Sequence, residues 1–292
     1  MSVSLTVAGA LDDARRRLLA AGIEDANREA RLLLGHAAGL DPAVIIGYPE
    51  RRLAPEAIRA MSEAVSDRAR RRPMAQVTGS REFWSLPFRV TPATLDPRPD
   101  SETVIGAVLD HVGDRLTPYN ILDLGTGSGC LLLSLLSELP TATGLGIDIS
   151  TDAIAVAASN ADGLGLRNRT QFAVADWGRS LSGRFDIIVS NPPYIPTGEI
   201  DLLAPEVSRF EPRRALDGGD DGLDAYRALS PSIVRLLADD GFAALEIGAG
   251  QRPSIDPILI QAGLATTTCA ADLAGISRCL VVRIKTELTD RT

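Results

Sequence analysis

The chain has 292 residues, 45% of them hydrophobic but only 4% aromatic, with a formal net charge of −8. That length accommodates two domains with a core of Ala, Leu, Val and Ile. The charge argues against neutralising phosphates along a nucleic-acid duplex and suits a basic protein partner.

Residues 1 to about 75 carry helical periodicity. Leu11, Ala14, Leu18 and Leu19 are expected on one face, Ala30, Leu33, Leu34 and Ala37 on a second, and Ile58, Met61, Ala64 and Val65 on a third. Gly22, Gly39-Leu40-Asp41-Pro42 and Pro49 break the pattern, so a small helical bundle is expected, assigned to recognition of a substrate protein. The run Arg68-Ala69-Arg70-Arg71-Arg72 closes its last helix ahead of Pro73. Cations there complement the helix C-terminus, and contact with an acidic partner or RNA is the alternative.

Residues 76–97 alternate and carry aromatics, which predicts a β-hairpin linker with its turn at Ser85-Leu86-Pro87. A helix follows, capped by Asp100 or Ser101, with Val104, Ile105, Val108 and Leu109 as its apolar face. From about residue 119 strands and helices alternate, so 98–286 reads as an α/β domain, and 287–292 as a polar tail.

Candidate chemistry sits where strands end. Ile121-Leu122-Asp123-Leu124 leads into Gly125-Thr126-Gly127-Ser128-Gly129, and an apolar helix runs from Cys130 to Leu139. Strand, glycine turn and helix open a doubly wound unit in which a ligand approaches the backbone. The spacing is GxGxG, which differs from the dinucleotide fingerprint and, with no hydride-transfer constellation, disfavours a dehydrogenase. A second strand, Gly144 to Asp148, ends on an acid placed to accept from ribose hydroxyls. Ser150-Thr151-Asp152 are expected to cap the following helix, which frees Asp148 for that role. A third strand, Gln171 to Ala175, ends in Asp176-Trp177, an acceptor and a flat ring fit to meet adenine. A fourth, Phe185 to Ser190, ends in Asn191-Pro192-Pro193-Tyr194. Prolines fix φ and remove N–H donors, so neighbouring carbonyls stay free to accept. With the Asn191 side-chain carbonyl and the Tyr194 ring, the motif suits gripping a planar NH2 group.

These motifs resemble the class I S-adenosylmethionine-dependent methyltransferases, and within them the HemK/PrmC-type enzymes that methylate the glutamine side-chain amide in the GGQ motif of peptide chain release factors. Asn191-Pro192-Pro193-Tyr194 is shared with adenine-N6 and ribosomal-RNA methyltransferases. More specific are Arg81-Glu82-Phe83-Trp84, Pro97-Arg98-Pro99-Asp100-Ser101-Glu102, Arg209-Phe210-Glu211-Pro212, the loop Ala215 to Leu223, Leu245-Glu246-Ile247-Gly248 and Asp272-Leu273-Ala274-Gly275. Asp96 departs from the pattern, where an apolar residue is expected. The resemblance implies a seven-stranded doubly wound sheet with a reversed final hairpin, including strands at Phe242 to Ile247, Leu264 to Thr268 and Arg278 to Ile284. It implies S-adenosyl-L-methionine bound by Gly125, Thr126, Gly127, Ser128, Gly129, Asp148, Trp177 and Asn191. Asn191, Pro192, Pro193 and Tyr194 would bind the substrate amide, with Asn191, Pro192 and Tyr194 catalytic. Arg98 and Glu102 are expected either near the methionine end or the substrate, or as ties between hairpin and helix, and Phe210 and Glu211 either at the substrate entrance or as loop structure. A glutamine in a ribosomal protein and adenine N6 in nucleic acid are the alternative substrates.

Cys130, Cys269 and Cys279 lack a CxxC pair and read as reduced residues of a cytoplasmic protein. His36 and His111 have no ligand-spaced companions, so no metal is expected. No signal peptide or 18-residue apolar span is found, so no membrane partner is expected; a monomer without a stable nucleic-acid partner is the further expectation.

Overall fold

The structure, a computed structural model, describes residues 5–285; the polar tail expected at 287–292 lies outside them. Two compact units form. One runs to Ser80 and includes Ala204–Phe210; the other comprises Arg81–Leu203 and the chain from Glu211 onward.

The first unit holds α1 (Val7–Ala20), α2 (Ala26–Ala38), α3 (Pro42–Gly47), α4 (Pro55–Ala69) and α5 (Met74–Thr78). Thr6 caps α1 by accepting from Gly9 N at 3.2 Å, and Asp41 caps α3 by accepting from Ala43 N at 2.8 Å. The buried face of α1 is Val7, Ala10, Ala14 and Leu18. Leu19, expected beside them, is instead exposed, because one further residue rotates it about 100° off that stripe. Ala30, Leu33, Leu34, Met61 and Val65 complete the core.

From Arg81 the second unit begins with a hairpin of β1 (Ser80–Phe83), whose first residue ends the first unit, and β2 (Leu86–Arg89). It starts later than expected because residues 74–78 form α5. Its turn is Trp84-Ser85, with φ +52° and +59°, and Leu86-Pro87 already belongs to β2. Two left-handed residues match the twist of paired strands, though Trp and Ser are unusual there. Glu102 accepts from Trp84 N at 2.8 Å and Glu138 from the indole N–H at 2.9 Å, holding the turn from both ends.

There follow α6 (Glu102–His111), β3 (Asn120–Leu124), α7 (Cys130–Glu138), β4 (Thr143–Asp148), α8 (Thr151–Gly163), β5 (Thr170–Val174) and β6 (Phe185–Ser190). After α9 (Pro205–Phe210), which belongs to the first unit, come α10 (Asp224–Leu236), β7 (Leu237–Glu246), α11 (Arg252–Ala262), β8 (Leu264–Ala271) and β9 (Ser277–Ile284). The seven-stranded sheet has the order β5-β4-β3-β6-β7-β9-β8. Its first five strands are parallel, while β9 runs antiparallel to both neighbours. Alternation along each strand feeds two cores. Ile121, Ile187 and Val189 pack with α6 and α7; Leu122, Leu124 and Ile188 pack with α10 and α11. Among the described residues no helix is long and apolar enough to cross a membrane.

The basic run is largely consumed inside the first unit. Arg68, nearly buried, donates to Glu29 at 2.7 Å and to Glu206 of α9 at 2.9 Å, and Arg71 meets Glu206 at 2.8 Å. Arg70 and Arg72 pair with Asp67. Removing one partner of a buried ionic cluster leaves the others uncompensated. Arg68→Ala is therefore expected to cost about 3 kcal/mol in denaturant unfolding; a loss near zero would show the cluster to be solvent-screened.

Candidate active site

The carboxyl ends of β3, β4, β5 and β6 face one cavity of about 430 Å³. Gly125, Thr126, Gly127, Ser128, Asp148, Asp176, Trp177, Asn191 and Pro193 line it, together with Arg98, Ser101 and Arg214. Gly129 stands just behind, as the residue before α7. Pro192 is buried and Tyr194 half-buried, and neither is on the cavity wall.

The glycine loop needs its glycines: Gly125, Gly127 and Gly129 have φ of +76°, +54° and +80°. Gly125 N and Thr126 N donate to Ile147 O at 2.9 and 2.8 Å, and Gly127 N donates to Asp148 Oδ2 at 3.0 Å. The loop thus hangs on the end of β4. Asp148 Oδ1 accepts from Ser150 N at 2.8 Å, while Ser150 itself caps α8 through Ala153 N. Beneath the loop, Asp123 is buried and accepts from Thr126 Oγ1 at 2.7 Å. Burial pushes its pKa up to about 7, against the pull of the Thr126 hydrogen bond and with a push from Asp148.

Ser190 Oγ donates to Leu124 O at 2.6 Å and locks the end of β6 to that of β3. Asn191 Nδ2 donates to Ser101 Oγ at 3.1 Å. Among the described residues, nothing donates to Asn191 Oδ1 or to the Pro192 carbonyl. Gln251 Nε2 donates to Tyr194 O at 2.8 Å, and Gly222 packs so close that a Cβ there would lie 2.5 Å from that oxygen. The Tyr194 hydroxyl reaches Glu246 Oε1 at 3.4 Å. Burial, then the Glu246 charge, raises the pKa of the Tyr194 hydroxyl.

Neither candidate cap of α6 caps it. Ser101 makes no capping bond and serves Asn191, and Asp100 pairs with Arg278 at 2.9 Å. Glu102 ties the hairpin to α6 through Trp84 N. Arg98 pairs with Glu211 at 3.2 Å, and Glu211 also accepts from Asp96 N at 3.2 Å. Burial raises Glu211 to about 7 despite Arg98. The unexpected acid Asp96 is buried beside Arg81 at 3.7 Å, and burial raises its pKa too. Phe210 lies in the first unit, where its carbonyl accepts from Gln76 Nε2 at 3.2 Å. Cys130 is on the cavity wall, and burial pushes its thiol to about 12, far from a reactive thiolate.

One structural residue of the site lies outside all the motifs. Asn160 is buried on α8, where it donates to Ser128 O at 2.8 Å and exchanges bonds with Arg89 N and O at 2.7 and 3.2 Å. It joins the hairpin to the glycine loop. A lone amide at i+3 and i+4 from Ala157 and Val156, on an otherwise apolar helix face, is the signal that marks it.

Known proteins share this organisation. A model described as "PrmC N-terminal domain" matches residues 9–79, and one described as "Methyltransferase domain" matches 117–235. A protein of Rhodospirillum rubrum named release factor glutamine methyltransferase is 46% identical over 283 residues, covering 96% of this chain and 86% of that protein. Proteins of the same name from Cereibacter sphaeroides and Caulobacter vibrioides are 44% and 42% identical, over 96% and 98% of this chain and 99% of each relative. Among solved structures, the hMettl16 catalytic domain in complex with MAT2A 3'UTR hairpin 1 aligns with a TM-score of 0.57 at 15% identity, covering 82% of this chain and 85% of that one. The ribosomal protein L11 methylase of Lactobacillus delbrueckii subsp. bulgaricus aligns at 0.51 and 19%, covering 68% and 86%. At these identities the two structures bear on the fold alone.

Asp123, Glu211 and Glu246 each titrate near 7 in the folded chain. The folded state keeps their protons where the unfolded chain releases them, so stability is full below about pH 4 and falls as pH rises to about 7. Asp123→Asn is expected to flatten that decline by about one proton in three, measured as urea midpoints between pH 4 and 8. An unchanged slope would place the Asp123 pKa near its ordinary value.

Proposed function

The chain belongs to the release factor glutamine methyltransferase family, and we propose that it transfers a methyl group from S-adenosyl-L-methionine to the side-chain amide nitrogen of the glutamine in the GGQ motif of peptide chain release factors. The observation that carries this is that, among the described residues, nothing donates to Asn191 Oδ1 or to the Pro192 carbonyl, at a strand end where Asn191 and Pro193 line a cavity whose other wall is the glycine loop and Asp148.

The cavity's chemistry fits the cofactor. Asp148 offers a carboxylate for ribose hydroxyls, Trp177 a flat face for adenine, and the left-handed loop of Gly125, Thr126, Gly127, Ser128 and Gly129 a backbone without side-chain bulk at its glycines. When bound, S-adenosyl-L-methionine supplies a methyl group already activated by the sulfonium charge.

A carboxamide nitrogen is a poor nucleophile because its lone pair is delocalised into the carbonyl. Asn191 Oδ1 and the Pro192 carbonyl each take one amide hydrogen, which holds the nitrogen in place and builds negative charge on it as the new N–C bond forms. Tyr194, half-buried behind the cavity wall, is assigned to the amide plane of the bound substrate, and Pro193 stiffens the turn on the cavity wall. No strong base is needed beforehand, because the nitrogen-bound proton turns acidic only after transfer and then leaves to water. The helical bundle is assigned to gripping the release factor away from the reacting glutamine, a role its match to the family's N-terminal domain supports.

Labelled methyl transfer should occur to purified release factor, and not to its GGQ→GGA variant or to duplex DNA; label on DNA, or label surviving the glutamine change, overturns the assignment. Asn191→Ala should lower turnover by about a hundredfold or more while cofactor affinity stays within a few-fold. Asp148→Ala should weaken cofactor binding measured by calorimetry, and an unchanged affinity would remove the ribose role.

A further inference from the structure

One short turn takes hold of Tyr194 at three points. It runs from Glu246, which ends β7, to Gln251, the residue before α11. Glu246 Oε1 accepts from the Tyr194 hydroxyl at 3.4 Å. Gly248 lies against the ring, where a Cβ would stand 3.1 Å from Tyr194 Cδ2. Gln251 Nε2 donates to Tyr194 O at 2.8 Å, while Gln251 Oε1 accepts from Gly248 N at 3.0 Å. A backbone N–H only donates and a carbonyl only accepts, so both ends of the Gln251 amide are specified and it has one orientation.

We propose that Gln251 is a positioning residue for the reaction: by fixing the peptide group between Tyr194 and Ile195, it holds the turn Asn191-Pro192-Pro193-Tyr194 in place against the substrate amide. This rests on the clamp assigned to that turn above. Pro192 and Pro193 have no N–H, so main-chain donors cannot pin the middle of the turn, and each ring fixes φ but leaves ψ. The turn must therefore be held from its ends. Before it, Ser190 Oγ donates to Leu124 O at 2.6 Å and Asn191 Nδ2 to Ser101 Oγ at 3.1 Å. After it, one peptide group is held on both edges. The Tyr194 carbonyl accepts from Gln251, and the Ile195 N–H donates to Leu216 O at 3.0 Å. A peptide group is planar, so bonds on its two edges set its plane and with it the ψ of Tyr194. With both ends held and two φ angles fixed, the Pro192 carbonyl and the Tyr194 ring have little room to turn.

No neighbour can take over this bond. Among the described residues nothing else donates to Tyr194 O. Gly222, with φ of +75°, closes the other side, where a Cβ would lie 2.9 Å from Gln251 Nε2. A Cβ at 248 would lie 2.6 Å from Gln251 Oε1, so Gly248→Ala should push the amide off its bonds without touching Gln251 itself. Gln251→Glu separates the two ends. An ionised carboxylate still accepts from Gly248 N but sets an oxygen against the Tyr194 carbonyl. A protonated carboxyl has one O–H, which can donate to Tyr194 O while the other oxygen accepts from Gly248 N. Acid should therefore repair that variant.

The experiment compares wild type, Gln251→Met, Gln251→Glu, Gly248→Ala and Asn191→Ala between about pH 5.5 and 9, a range that spans a half-buried glutamate's titration. It measures kcat and KM for release factor, with kcat expressed per cofactor site counted by calorimetry, so that unfolded protein does not enter. A misplacement of about 1 Å costs up to about a hundredfold, so Gln251→Met and Gly248→Ala should lose about tenfold or more in kcat, with cofactor affinity within about threefold. Gln251→Glu should lose as much at the alkaline end, and its kcat relative to wild type should climb as pH falls. A loss confined to the number of cofactor sites, or a Gln251→Glu deficit that is the same at every pH, overturns the positioning role, and the second result does so even where Gln251→Met folds poorly. If Asn191→Ala is inactive while the Gln251 and Gly248 variants turn over normally, the positioning role is wrong and the clamp stands. If Asn191→Ala is itself active, the clamp is wrong and the positioning role falls with it.

Discussion

The site exists because β3 pairs in parallel with β4 on one side and β6 on the other. The chain leaves β3 toward β4 and β5, then returns across the sheet to β6, so helices diverge on opposite faces and a crevice opens at the carboxyl ends of the central strands. Every candidate group stands at that divide. The glycine loop bonds to Ile147 and Asp148 on the β4 side, and Ser190 bonds to Leu124 on the β6 side. A slip of one residue of β6 against β3 would turn over the face each β6 side chain presents and take Asn191 away from Ser101.

Around this divide lie three buried carboxyls. Asp123 shapes the loop from below, Glu211 holds Arg98 and the Asp96 amide, and Glu246 meets the Tyr194 hydroxyl. Buried acids lower stability unless hydrogen-bonded, and each of these is anchored to a segment that lines or supports the cavity. Their cost is consistent with a site whose polar parts are held by donors and acceptors from distant segments, where apolar packing could not impose direction. The ion pairs of Arg68 and Arg71 with Glu206 do a comparable task in the first unit, fixing a short helix that is far from them in sequence.

Much of this was legible in the chain. The glycine spacing, the acid ending β4 and the prolines after β6 each combine a strand end with ligand-type groups, and the alternation of elements implies a sheet that lines them up. Where the structure departs from the sequence pattern, the causes are local. The hairpin turn lies one step before the Ser85-Leu86-Pro87 that turn chemistry favours, because Trp84-Ser85, a poor turn pair by itself, is held by Glu102 and Glu138. Asp100 and Ser101 look like caps, but β9 and the end of β6 compete for their side chains and win.

The sequence by itself determined the fold class, the order of the strand ends and the residue types at each, because periodicity and turn chemistry act over a few residues. Only the tertiary structure decided which polar groups meet. Asn191 and Ser101 are 90 positions apart, Tyr194 and Glu246 are 52 apart, and Asn160 bonds the loop 32 residues before it. No local pattern reports such pairs, since hydrogen-bond direction depends on how two distant backbones are brought together by the packing of the sheet.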